Sequence, residues 1–403
     1  MNNPQRSITL NRWLVAASLL LLAANLRPLF SSTSVLLPNI ITGLGISAAT
    51  AGYLTTLPVL CMGIFAPLAP RFAQRIGVER TLWVVLLLIT IGTALRGYLD
   101  VYGLFLGTAM GGAGIAMGNV LLPSLVKRDY ADRAALMTGL YTMSLVGGAA
   151  LGAAISLPLS QALGDQWSNG LAIWALPGLL ALFAWAPVAY LSGAARRAST
   201  RLLPVKGLRQ DTLAWAVTLF MGLQSALAYC VLGWMAPMLQ ARGLSGTEAG
   251  LITSASIILQ VLSCILTPML ASRGRDQRAL AVVLSAMAAL GLVGMLMGPS
   301  WAIWPLALVQ GLGQGGLFAL ALMLIVLRSR DAHVAASLSS MAQAIGYILA
   351  ASGPLLIGLL YAWTGGFEAA AGLIGILGIC TALAGWFAGR NLLVKAQIID
   401  VTV

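Results

Sequence analysis

Charge is the scarcest commodity in this sequence. Asp, Glu, Lys and Arg make up 8% of its 403 residues, while 59% are apolar; a soluble domain carries about 25% charged residues. With a mean hydropathy of +0.92, a water-soluble globule is excluded and a polytopic membrane protein is expected. No extended polar stretch is present to form the output domain of a sensor. Histidine occurs once, at His333, and the four cysteines (Cys61, Cys230, Cys264 and Cys380) sit in apolar runs without CxxC spacing. Zinc, disulfide and nucleophile–base readings therefore have little to stand on, and we expect no enzyme activity, no metal and no cofactor. His333, at the start of the eleventh run, reads as an interfacial residue. Acid is missing from the interior of the apolar runs: the 11 Asp and Glu residues, with Asp100, Asp165, Glu248 and Glu368 among them, fall at or near helix ends. That leaves no buried carboxylate for a proton relay.

What charge exists is mostly positive, 23 Lys and Arg for a net +12, and its placement is regular. Arg71, Arg75 and Arg80, then Lys127, Arg128 and Arg133, then a group from Arg196 to Arg209, then Arg273, Arg275 and Arg278, then Arg328 and Arg330 all fall in alternate connections. Arg6 and Arg12 precede the first run, and Arg390 and Lys395 follow the last. This is the positive-inside pattern; it puts both termini in the cytoplasm, with the basic connections in contact with anionic lipid heads. It also removes nucleic acid as the explanation of the basic charge. Only Arg27, Arg96 and Arg242 depart from it.

A spanning helix needs about 20 residues, and twelve runs qualify: 13–38, 48–72, 80–98, 101–126, 133–160, 168–191, 211–239, 247–271, 278–297, 300–327, 333–361 and 367–389. The first is too long for a cleavable signal and contains Arg27. The widest polar gap, 192–210, reads as a cytoplasmic linker between an N-terminal six-helix bundle (1–191) and a C-terminal one (211–403). The two look like copies. A shift of 198 carries Gly45, Ser47, Ala51 and Gly52 onto Gly243, Ser245, Ala249 and Gly250, and Thr55, Pro70, Arg75 and Arg80 onto Thr253, Pro268, Arg273 and Arg278.

Arg27 breaks both the hydropathy and the repeat. It stands inside the first apolar run, where a charge costs about 2.5–3.5 kcal/mol on insertion scales, and its repeat counterpart is Ser225. A charge that one copy carries and the other lacks is expected of a ligand contact. The planar guanidinium suits carboxylate-like or nitro-like oxygens; snorkelling to the headgroups is the competing reading. Polar companions that would surround a ligand are Asn25, Ser31 and Ser34 on the first helix, Tyr53 and Thr56 on the second, and Asn119 on the fourth. In the second half they are Gln224, Tyr229 and Trp234 on the seventh, Gln310 and Gln314 on the tenth, and Gln343 and Tyr347 on the eleventh. For each, ordinary interhelical hydrogen bonding is the competing role. At the basic side, Arg71, Arg75, Arg273 and Arg275 are placed to pair with Asp129, Asp132 and Asp331 as a gate between the halves. The glycines Gly107, Gly111, Gly112, Gly114 and Gly118 read as close packing of the fourth helix.

Two parallel six-helix halves are the architecture of the major facilitator superfamily, whose substrate sites lie between the halves near mid-membrane. The segment Asn25-Leu26-Arg27-Pro28-Leu29 resembles the first helix of its cyanate transporter branch. The run Gly118-Asn119-Val120-Leu121-Leu122-Pro123-Ser124-Leu125-Val126-Lys127-Arg128-Asp129 is similar to the fourth-helix exit of nitroimidazole transporters, and Leu54-Thr55-Thr56-Leu57-Pro58 and Gly77-Val78-Glu79-Arg80 fit the same branch. The resemblance covers most of the chain and implies transport of small compact solutes by alternating access. Three features depart from general superfamily patterns: Pro70 follows Ala66-Pro67-Leu68-Ala69 where an Asp is usual, Gly107 stands near the usual helix-four Arg, and the fifth helix has Gly147, Gly148 and Gly152 without the antiporter proline. They count against the alternative, proton-coupled multidrug efflux of apolar compounds. The expectation is a monomeric transporter, secondary active or facilitative, for a small anionic or polar solute, with Arg27 as anchor and a proton involved where the solute carries one.

Overall fold

The computed structural model describes residues 12–130, 133–191, 205–274, 276–330 and 332–398. In hydrocarbon every backbone N–H and C=O must be satisfied within the segment, so long apolar runs become helices. Among the described residues, twelve helices are long and apolar enough to cross a membrane. We number them α1 (Arg12–Leu44), α2 (Ala48–Ile76), α3 (Val78–Leu95), α4 (Asp100–Asp129), α5 (Ala134–Ala162) and α6 (Trp167–Tyr190) in the first half. The second half holds α7 (Thr212–Ala241), α8 (Gly246–Ala271), α9 (Arg278–Met297), α10 (Ser300–Leu327), α11 (Val334–Thr364) and α12 (Glu368–Ala388).

Several spans are broken, and proline accounts for the breaks. Proline lacks the N–H of the i−4 ladder and its ring crowds the carbonyl four residues back. In α1, Pro28 ends the first segment at Ala24 and opens a second as its first residue, with Arg27 at φ −120° as the cap. α5 is shaped to receive this break: a Cβ on Gly148 would collide with the Ala24 carbonyl oxygen, and one on Gly152 would lie 3.2 Å from Pro28 Cα. The sequence predicts one uninterrupted run over 13–38; the helix instead continues to Leu44 and turns at Gly45 (φ 62°). Pro67 and Pro70 similarly divide α2 around a short 3-10 turn at Ala66–Leu68.

The two six-helix bundles meet tightly on the side away from the basic connections. There Gly52 of α2 lies against Gly358 of α11, where a Cβ on Gly358 would reach within 2.5 Å of Gly52 Cα. Its repeat counterpart Gly250 of α8 lies against the Ala153 carbonyl of α5. Trp234 Nε1 donates to Thr55 Oγ1 at 3.2 Å and to the Pro354 carbonyl at 3.0 Å. On the basic side the bundles part around a cavity. A two-residue strand, β1 (Val205–Lys206), pairs antiparallel with β2 (Gln397–Ile398). Asp211 reinforces this clasp: one oxygen caps α7 at Leu213 and Ala214, and the other accepts from the Lys395 amide at 2.8 Å.

Candidate functional site

The inter-bundle cavity has a volume of about 520 Å³. Its wall runs from Arg27, at mid-depth, to Thr138, Pro268 and Met323 near the basic ends of α5, α8 and α10. Among the described residues, no acidic side chain lines it.

Arg27 is held by aromatic rings. Its guanidinium lies 5.8 Å from the Tyr229 ring centre and 6.0 Å from that of Phe30, within cation–π range. Phe30 and Tyr229 pack 5.4 Å apart, and Tyr229 meets Tyr347 edge-on at 6.3 Å. Among the described residues, the side chain of Arg27 makes one hydrogen bond, a long one from Nη1 to Tyr229 Oη at 3.3 Å. Its Nε is buried without a partner. The break in α1 matters here: it lets a cation at mid-depth face the inter-bundle space. Leu26 and Leu29, by contrast, pack against Gly118 and Gly111 of α4.

Two more unpartnered polar atoms belong to residues of the same wall. Asn119 Nδ2 of α4 has no acceptor, and Gln314 Oε1 of α10 has no donor. Gln314 is oriented by donating Nε2 to the Gln224 backbone carbonyl at 3.0 Å. A buried polar group left unpaired costs roughly 1–3 kcal/mol, and three residues of this wall each carry one. Two of these groups are donors of the first half and one is an acceptor of the second. Gln343, which bonds Ser339 at 2.8 Å, and Tyr347 complete the polar lining from α11.

The other sequence candidates sit elsewhere. Asn25 is buried and donates to the Leu21 and Pro177 carbonyls, tying α1 to α6. Tyr53 is 53% exposed. Thr56 is buried with its hydroxyl unpaired, outside the cavity wall. Gln224 is wholly buried behind Gln314. Trp234 belongs to the closed side, and Gln310 accepts from Ser256 within the second bundle. Four wall residues that the sequence did not single out are Thr138, Tyr141, Thr142 and Gln260. The first three follow helical i, i+3, i+4 spacing on α5, and Gln260 is an amide in the middle of apolar α8; those were the available signals.

Among the gate candidates, Arg71, Arg75 and Arg273 are exposed and form no ion pair with a described acid. Asp132, Arg275 and Asp331 lie outside the described residues, as does the side chain of His333. Asp129 pairs with Arg128 at 2.7 Å, and Arg128 also reaches the buried Glu79 at 2.6 Å. The Asp129 hydrogen bond, with help from Glu79, holds the Arg128 pKa above its usual value against the opposing effect of burial.

A family model described as Major Facilitator Superfamily matches residues 15–351. The 2-nitroimidazole transporter of Escherichia coli is 38% identical over 94% of this chain and 96% of its own length. The cyanate transport protein CynX of the same organism is 32% identical over 87% and 90%, and an uncharacterized transporter of Bacillus subtilis, YycB, 38% over 97% of both. Among solved structures, a point mutant of the nucleoside transporter NupG superposes with a TM-score of 0.73 at 13% identity, covering 93% of this chain and all of its own. The D-xylose–proton symporter gives 0.69 at 16%, covering 94% and 97%. At those identities they share the fold.

Proposed function

The chain belongs to the major facilitator superfamily, and we propose that it carries a small, compact, anionic or polar solute across the bacterial inner membrane with Arg27 as its anchor. The observation that carries this reading is the partly satisfied guanidinium of Arg27 in the wall of a cavity without acid among its described residues. The favoured solute class is a planar one with acceptor atoms on one edge and an N–H on the other. Arg27 and Asn119 would take the acceptor edge and Gln314 the donor edge, with Tyr141 and Tyr347 in the same wall. A nitro-heterocycle meets that description, in keeping with the 2-nitroimidazole transporter among the relatives; a linear anion such as cyanate engages only the cationic end.

Positive-inside placement assigns the basic side, both termini and the linker 192–210 to the cytoplasm, so this conformation is inward-facing. The units 1–191 and 211–403 rock about the site, closing the cytoplasmic side as the outer side opens. In the outward-facing state Asp331 and Asp129 meet the arginines of Arg71–Arg75 and Arg273–Arg275 as a cytoplasmic latch. The described wall offers no carboxylate to titrate, so any proton travels on the solute itself. The protein works as a monomer with its arginine fringe on anionic lipid.

Counterflow in proteoliposomes tests the reading. Preloading with unlabelled 2-nitroimidazole or cyanate should accelerate entry of the same labelled compound, and Arg27→Ala should abolish this. Counterflow of a solute at equal rates in both proteins would reject the anchor.

A further inference from the structure

Arg96 is as unusual as Arg27 and is not explained by the central cavity. It follows α3 at the outer side and is completely buried. Its stem crosses α4 at Gly107, where a Cβ would come within 2.9 Å of Arg96 Cγ, and its head reaches α1. There Nη2 donates to Thr33 Oγ1, a hydroxyl whose own proton goes to the Leu29 carbonyl at 2.7 Å. Nε and Nη1 are buried with no partner among the described residues. No described acid forms an ion pair with it. A fully desolvated guanidinium with one neutral acceptor is a costly arrangement, and a bundle would not keep it for packing alone.

Three facts give it a purpose. Ser34, one turn past Phe30 on the α1 face that meets Tyr229 of the second half, is buried with an unpartnered hydroxyl. Thr33 stands six residues beyond Arg27, about 9 Å along the helix. And the set exists in one half only: at the repeat shift of 198, Arg96 becomes Gly294, and Ser31 to Ser34 become Tyr229, Cys230, Val231 and Leu232. The repeated fold of the second half is therefore built without it.

We propose that Arg96, with the Thr33 end of α1, is a second anion station on the outer side of Arg27. When the bundles part on the outer side, the gap between them wets this pocket, and a small anion or the anionic end of the solute is held by Arg96 before Arg27 receives it. In the inward-facing state, closed on the outer side, Arg96 stays buried. This rests on the orientation and anion preference argued above, and its test separates the two arginines.

Thr33→Cys is placed in the full-length protein in right-side-out vesicles and treated from outside with impermeant methanethiosulfonate reagents, one anionic and one cationic. Gln166→Cys, in the exposed connection between α5 and α6, sets the reference rates, and the unsubstituted protein gives the blank for native cysteines. The expected result is that Thr33→Cys reacts, and that the anionic reagent is favoured over the cationic one by on the order of tenfold relative to Gln166→Cys. Adding Arg96→Gln should erase that preference, Arg96→Lys should keep it, and Arg27→Ala should leave most of it. Thr33→Cys staying unreactive while Gln166→Cys reacts would overturn the proposal. So would a preference that Arg96→Gln does not move. A preference lost only with Arg27→Ala would leave Arg27 as the sole anion site and reject the outer station. Because a buried arginine is being replaced, thermal unfolding of each variant is followed alongside, and Arg27→Ala, which leaves Arg96 in place, keeps the test decisive if Arg96→Gln does not fold.

Discussion

Near the basic side, the first half ties α3, α4 and α6 together through Arg128, which bonds Glu79 at 2.6 Å while Trp185 Nε1 donates to the Glu79 carbonyl at 2.9 Å. The second half makes the same joint among α9, α10 and α12. Arg328 bonds Gln277, the repeat counterpart of Glu79, and also the carbonyls of Ala388 (3.1 Å) and Gly389 (3.0 Å). One joint uses an ion pair and the other a guanidinium–amide contact, yet both close the same three helices. The halves also share their closing contacts, Gly52 against Gly358 and Gly250 against Ala153. At mid-depth the likeness ends: Arg27 faces the cavity from one half, and Ser225 stands at its counterpart, buried in the other. The packing joints are thus duplicated, while the cation in the cavity wall, the proposed solute anchor, belongs to one copy.

If that division is right, changes at duplicated positions should act alike in both halves. The largest effect is expected at the closing glycines. Gly52→Val and Gly250→Val each force atoms into backbone, an overpacking worth roughly 1–3 kcal/mol, and bias the protein to open outward. Cys264 lines the inward cavity, so its modification by an impermeant thiol reagent from the cytoplasmic side should slow by about tenfold in both variants. A change in one variant only would break the symmetry.

Next in size is Arg128→Met. It strands the buried Glu79 without its cation, and because Arg128 is itself partly exposed the loss should be on the order of 2 kcal/mol, below that of a fully buried pair. Thermal unfolding in detergent reads it. Glu79→Gln, which writes the second half's joint into the first, should cost less than about 1 kcal/mol; a loss as large as that of Arg128→Met would mean the two joints are not equivalent. The smallest effect is expected of Trp234→Phe, which keeps the aromatic contacts with Tyr361 and Phe367 and removes the bonds to Thr55 and Pro354, about 1 kcal/mol. It should modestly favour the outward-facing state, read by the same Cys264 labelling.

The fold was largely legible because hydropathy, the alternation of arginines and the 198-residue shift are properties of the chain itself. Arg27 stood out for the same reason, since a charge in an apolar run needs no partner to be noticed. What the sequence could not show is which way a polar side chain turns. Asn25 and Trp234 have the composition of ligand contacts, but their donors are engaged by carbonyls of Pro177 and Pro354, more than 100 residues away. The stripe of Thr138, Tyr141 and Thr142 and the amide of Gln260 face the cavity from helices that are broadly apolar all round, so no amphipathic face marks the wall. The proline at position 28 announces a break in α1; only the glycines of α5 reveal that the break is packed.

The most direct test of the central claim is a thermal-shift measurement on purified protein, wild type beside Arg27→Ala, with 2-nitroimidazole, cyanate, nitrate and benzoate. A ligand at about 100 times its Kd stabilises the native state by about 2.7 kcal/mol, enough to raise the unfolding temperature measurably. The account predicts that at least one of these compounds stabilises the wild type and leaves Arg27→Ala unmoved while both proteins unfold at similar temperatures without ligand. Equal stabilisation of the two would contradict it and make Arg27 a structural residue.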